Sequence, residues 1–199
     1  MEPMFLSTVE NNKEPKGGYK DLIESVRKAG GPVSQIWHLF AFKPEVTKPL
    51  ETFSHAVMRG PSPLSPALRE LIAAYTSDGN ECLFCRNSHT AVAVELYKDS
   101  TLVYGALEDV QSSRLTPAEK ALLTFVEKVN HDAQRVTPAD IKPLHDAGWS
   151  GEAIFDAITV CALFNFFNRW VGASGVHPQP DEAARASGKR LAEGGYIRS

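Results

Sequence analysis

At 199 residues, 43% hydrophobic and 23% charged, the chain is long enough for one domain with a substantial core. A net charge of −3 and a pI near 6.1 leave no electrostatic footprint for nucleic acid or an anionic membrane, so neither is expected as a partner. Three cysteines are too few, and odd in number, for a disulfide-stapled secreted domain.

The opening MEPMFLSTVE has neither a basic region nor an apolar run of signal-peptide length, so a cytoplasmic protein is expected. Residues 1–18 read as a flexible segment. Beyond them apolar residues recur at helical spacing and alternating β-branched runs are missing, which predicts an all-α single domain. Helices are predicted near 19–29, 33–41, 44–58, 65–77, 81–97, 100–111, 116–130, 138–147, 151–170 and 181–193. Ser65-Pro66, Thr116-Pro117 and Thr137-Pro138 each set an N-capping hydroxyl before a proline at the first helical position. Thr116 and Glu119 form a capping box, and Ser150 opens a long apolar helix toward Trp170. The densest apolar stretch, 157–167, is broken by Asn165, Asn168 and Arg169, so no membrane span is expected. The starts LSPALRELI at Leu64 and LTPAEKALL at Leu115 resemble each other, either as a weak internal repeat or as two copies of a common helix start. The principal domain is placed at 19–178, and residues 179–199, which contain Pro180 and Gly194-Gly195, read as a C-terminal arm that is frayed or wraps a neighbouring subunit.

The chemistry concentrates between Glu70 and His89. Asp78-Gly79-Asn80 ends one helix, and Asp78 or Asn80 is available to cap the next. Cys82 then falls in the first helical turn, Cys85 one turn on, and His89 four residues later, so the three share a helix face. The electropositive helix start favours thiolate over thiol, and three-residue spacing allows a reversible disulfide. His89 is placed to accept the thiol proton. Glu70, twelve residues before Cys82 and flanked by Leu68, Leu71 and Ile72, faces the same stripe if the helices pack antiparallel. Partial burial there is expected to raise its pKa.

Glu70, Cys82-Leu83-Phe84-Cys85 and His89, at these spacings inside an all-helical chain, resemble the motif of the alkylhydroperoxidase D-like group of the carboxymuconolactone decarboxylase superfamily. The lead-in LSPALRELIA and the later Asn165, Asn168, Arg169 and Gly172 resemble its peroxidase-related branch. The resemblance spans roughly residues 20 to 178. It implies an AhpD-like helical bundle assembled into trimers, hexamers or larger rings. It also implies reduction of organic or hydrogen peroxide without metal or other cofactor, with an external dithiol as reductant. In that scheme Cys85 attacks the peroxide, Cys82 resolves the sulfenic acid, and Glu70 and His89 relay protons. Phe84 departs from the pattern, since some members carry a histidine there. The helix-dipole argument points instead to Cys82 as the attacking sulfur; proximity to His89 and the resemblance favour Cys85, which is taken as the nucleophile.

Other readings of the same residues stay open. The cysteines could pack as small hydrophobes, or bind zinc with His89 and either Glu70 or His55. The pair could act as a redox sensor, and the wider superfamily includes decarboxylase-like enzymes acting on small lactones. Cys161 reads as core. His38, His55, His131, His145 and His177 read as surface or packing residues, and Asn165 and Asn168 as structural cross-links.

Overall fold

The computed structural model describes residues 2–31 and 33–197. Among the described residues there are eleven α-helices and no strand, the all-α architecture the periodicity predicts. In chain order they are α1 (Ser7–Glu10), α2 (Tyr19–Lys28), α3 (Gln35–Phe42), α4 (Pro44–Arg59), α5 (Pro66–Gly79), α6 (Leu83–Tyr97), α7 (Ser100–Glu108), α8 (Pro117–Asp132), α9 (Pro138–Asp146), α10 (Gly151–Ser174) and α11 (Asp181–Gly194). The hydroxyl starts behave as expected. Ser65, Thr116 and Ser150 accept the N–H groups of Leu68, Glu119 and Ala153 at 3.1, 3.2 and 3.1 Å. Thr116 N–H reciprocates to Glu119 at 2.9 Å.

Helix α5 is the centre of the molecule. Leu71, Ile72, Ala73 and Ala74 are wholly buried, because α6, α8 and α10 all pack on it. α10 is long and apolar enough to cross a membrane by composition alone, but Ala157, Val160, Cys161 and Phe164 spend its apolar face on the core. Cys161 is packed there as a buried hydrophobe.

Both chain ends fold back onto this body. Near the N-terminus, the short α1 lies in a segment read as flexible, yet Met4 and Val9 are buried in a second apolar cluster with Leu39, Cys82, Cys85, Val171 and Val176. The buried Gln35 side chain fastens that segment, donating to Glu2 O at 2.7 Å and to Glu10 Oε1 at 2.9 Å. Its own oxygen accepts the His177 N–H at 2.8 Å. At the other end α11 lies along α6, with Gly188 at the crossing. A Cβ at Gly188 would sit 2.7 Å from Ala91 Cβ, so only glycine permits this approach.

Substituting Gly188→Val is expected to cost about 1–3 kcal/mol by overpacking, seen as a lower urea midpoint. The double variant with Ala91→Gly should recover part of the loss. An unchanged midpoint in the single variant would show that α11 does not seat against α6.

Candidate active site

The turn between α5 and α6 places the cysteines. Glu81 adopts φ +56°, and the Cys82 N–H bonds back to Ser77 O at 2.9 Å, which reverses the chain and sets α5 and α6 side by side. Neither Asp78 nor Asn80 caps α6, contrary to expectation. Asp78 pairs with Arg86 at 2.9 Å, and the Asn80 amide donates to Asn168 Oδ1 at 2.9 Å. Cys82 itself occupies the N-cap position, with the Cys85 backbone N–H directed at its sulfur. A thiolate there meets the open N–H groups and positive end of the helix.

The two sulfurs lie 2.7 Å apart and share a proton unequally. Cys82 is held down to about 7, chiefly by the hydrogen bond from the Cys85 thiol; burial opposes this, and the Cys85 N–H and the Asn168 amide assist. Cys85 is pushed strongly upward because it donates to Cys82, is buried, and faces the Cys82 charge. Of the two sulfurs, Cys82 is the one on which a thiolate is favoured.

Glu70 and His89 come together as the antiparallel packing of α5 and α6 predicts. His89 Nδ1 is 2.7 Å from Glu70 Oε2, which fixes the ring and leaves Nε2 as its second functional nitrogen. Phe164 meets the imidazole edge-to-face at 4.3 Å. The expectation of a raised Glu70 pKa fails. The carboxyl is completely buried, and burial alone would push it up. The His89 hydrogen bond and charge, the Arg59 charge and the Tyr196 hydroxyl outweigh that effect and bring it below the ordinary carboxylate value. Arg59 Nη2 and Tyr196 OH each lie 2.7 Å from Glu70 Oε1.

Sequence reasoning missed these two partners and the neighbour on the sulfur side. Arg59 ends α4, and Tyr196 follows α11, far from the motif in sequence. Asn168, read as structural, does donate to Ser77 Oγ at 2.9 Å, and it also hydrogen-bonds the cysteine pair. Asn165 bridges to Asn130 at 2.6 Å. Only the break these amides make in an apolar helix signalled them. His55 lies near the cluster, accepting the Tyr196 N–H at 3.3 Å. Among the described residues no three His, Cys, Asp or Glu side chains gather as a metal site. With both Glu70 oxygens already engaged, the zinc reading lacks a ligand set.

Cys85, His89 and Tyr196 line one cavity of about 120 Å³, whose other walls include Trp37, Phe40, Phe84, Phe164 and Phe167. Cys82 is not among its lining residues. The arrangement presents a dithiol and an oriented imidazole to a small, largely aromatic chamber, a setting suited to proton-coupled sulfur chemistry on an organic molecule.

The profile of the carboxymuconolactone decarboxylase family matches residues 44–128, a stretch holding Glu70, Cys82, Cys85 and His89. Among curated proteins no match is found. An uncharacterized peroxidase-related protein from Silicibacter sp. TM1040 superposes with a TM-score of 0.78 at 25% identity, over 91% of this chain and 94% of that one. A second, an uncharacterized peroxidase-related protein with an alkylhydroperoxidase AhpD core from Ralstonia eutropha JMP134, gives 0.74 at 25% identity, over 86% and 89%. The debrominase Bmp8 shares the fold at 0.61 and 18% identity, over 89% and 98%. Residues 44–128 thus match the carboxymuconolactone decarboxylase family, and the chain as a whole is similar in fold to AhpD-like, peroxidase-related proteins.

Proposed function

We propose that the protein is a thiol-dependent peroxidase that reduces organic or hydrogen peroxides through a Cys82–Cys85 dithiol/disulfide cycle, re-reduced by an external dithiol. The observation that carries the proposal is the shared cavity of Cys85 and His89, with His89 anchored through Nδ1 to a buried, ionised Glu70. The peroxidase-related structures that the chain resembles support the same reading. Homo-oligomeric assembly and a cytoplasmic location belong to the proposal as well; exposed Phe53, Tyr104 and Phe155 offer apolar surface for subunit contacts.

Peroxide entering the chamber meets Cys85 first. As Cys85 loses its proton toward His89 Nε2, its sulfur attacks the nearer peroxide oxygen. The O–O bond breaks, sulfur is oxidised to sulfenic acid, and the leaving alkoxide takes the proton back from the imidazolium to depart as alcohol. The Cys82 thiolate then attacks the Cys85 sulfur; the S–O bond breaks and hydroxide leaves, taking a proton from solvent to become water. Two electrons have passed from the sulfurs to the peroxide, and the external dithiol returns them. Glu70 stays ionised throughout, holding the imidazole in place and stabilising its charged form.

Cys85→Ser is expected to reduce peroxide consumption to background. Cys82→Ser should consume about one equivalent and stop as a sulfenic acid trappable by dimedone, read by mass spectrometry. Full turnover in the Cys85 variant would overturn the mechanism. The resting pair makes a second prediction. Because the Cys82 pKa lies below the ordinary thiol value, its thiolate is present above pH 7 and lost below it. Thiolate ultraviolet absorbance should therefore rise with a midpoint about 7 and be lost in Cys82→Ser. Absorbance that rises only at the ordinary thiol value would remove the shared-proton pair.

A further inference from the structure

We propose that Tyr196 is a positioning residue that locks the Glu70–His89 pair in its working geometry, so that the site is completed by the carboxyl-terminal segment. The proposal rests on the peroxidase reading for its consequence in turnover, but not for its geometry.

The segment is built to deliver this side chain. Gly195 has φ +66°, and a Cβ there would lie 2.8 Å from the His55 ring, so glycine is required for the chain to pass. The Tyr196 N–H is then taken by His55 Nδ1. These contacts turn the phenol inward, where its hydroxyl lies 2.7 Å from Glu70 Oε1 and 3.2 Å from His89 Nδ1. Its ring runs nearly parallel to the imidazole, at 12° and 6.2 Å between centroids, and the Arg59 guanidinium sits over the same ring, 5.1 Å from its centroid. One hydroxyl thus touches both members of the pair and holds Glu70 Oε1 so that Oε2 addresses His89. The family profile ends at residue 128, so Tyr196 lies outside the stretch that carries the motif. Phe84, immediately before Cys85, lines the cavity as an apolar ring and supplies no proton.

Tyr196→Phe tests this because it keeps the ring and removes only the hydroxyl. The groups that bear on the outcome are His89 from α6, Arg59 from α4, and Arg69 beside Glu70 on α5, with Glu51 and Arg190 on the cavity wall. Losing one of the donors that hold it down, Glu70 must titrate at higher pH, and the acidic limb of the peroxidase profile must move up with it. An upward shift of about 0.5–1 unit and a loss of about ten-fold in kcat/KM are expected for a hydrogen bond to a charged group. The readouts are carboxyl carbon NMR of Glu70, the ring-nitrogen shifts of His89, and the pH profile with an alkyl hydroperoxide. Tyr97→Phe, whose hydroxyl meets Glu119 at 3.5 Å and which does not line the cavity, should change none of them. If Tyr196→Phe does not fold, 3-fluorotyrosine placed at 196 alone, a stronger donor, must shift the Glu70 titration downward. An unmoved Glu70 titration and His89 tautomer in a folded Tyr196→Phe protein overturn the proposal. A shifted titration in a protein without peroxidase activity upholds it and refutes the peroxidase reading instead.

Discussion

A carboxylate with no exposed surface, at the centre of the most buried helix, constrains everything around it. Glu70 can remain ionised only if its oxygens are met by donors, since an unpaired buried charge carries a desolvation penalty of several kcal/mol. Three donors converge on it from α4, from α6 and from the residue run after α11. Removing one partner of such a buried pair typically costs about 3–5 kcal/mol, so the carboxylate ties three distant parts of the chain to α5. The same contacts orient His89. Stability and site geometry are thus consequences of one arrangement, with α5 as its common element.

Much of this was legible in the sequence, for identifiable reasons. Hydroxyl starts are local signals: Ser65 and Thr116, each before a proline, and Ser150, before Gly151, cap the helices they announce. Glu70, Cys82, Cys85 and His89 were legible because one antiparallel helix pair, joined by a short turn, carries all four. Arg59 and Tyr196 were not, because their partnership with Glu70 is set by how α4 and the C-terminal segment pack, and neither side chain has a distinctive neighbourhood in sequence. The N-terminal segment hid its role in another way. Its composition is polar, and only Met4 and Val9, five residues apart, reveal a buried side.

The capping error is instructive in the same terms. Asp and Asn are the preferred N-caps, and both stood ready before α6. Each was drawn off by a stronger tertiary partner: Arg86 for Asp78, and the amide network through Asn168 for Asn80. The vacancy at the cap fell to a cysteine, and a sulfur at that position gains from being a thiolate. The cap position contributes the Cys85 N–H to the acidity of Cys82, which the Cys85 thiol chiefly causes. Asn168 joins them, since it accepts from the displaced Asn80 and also hydrogen-bonds the cysteine pair.

The two arguments about the sulfurs point to different properties. Thiolate character is favoured on Cys82, chiefly by the hydrogen bond from the Cys85 thiol and with a smaller share from the Cys85 N–H at the helix start. The cavity and His89, however, are reached by Cys85. Thiolate character and access to the cavity are divided between the two residues. In the proposed peroxidase cycle, a thiolate kept off the cavity would be shielded from premature oxidation, while Cys85 would meet the oxidant in the cavity that His89 also lines. Once Cys85 has become a sulfenic acid, the thiolate needed to close the disulfide is already formed and 2.7 Å away before any rearrangement. On this view the low pKa of Cys82 serves the resolving step, and the buried Glu70–His89 pair serves the attacking one.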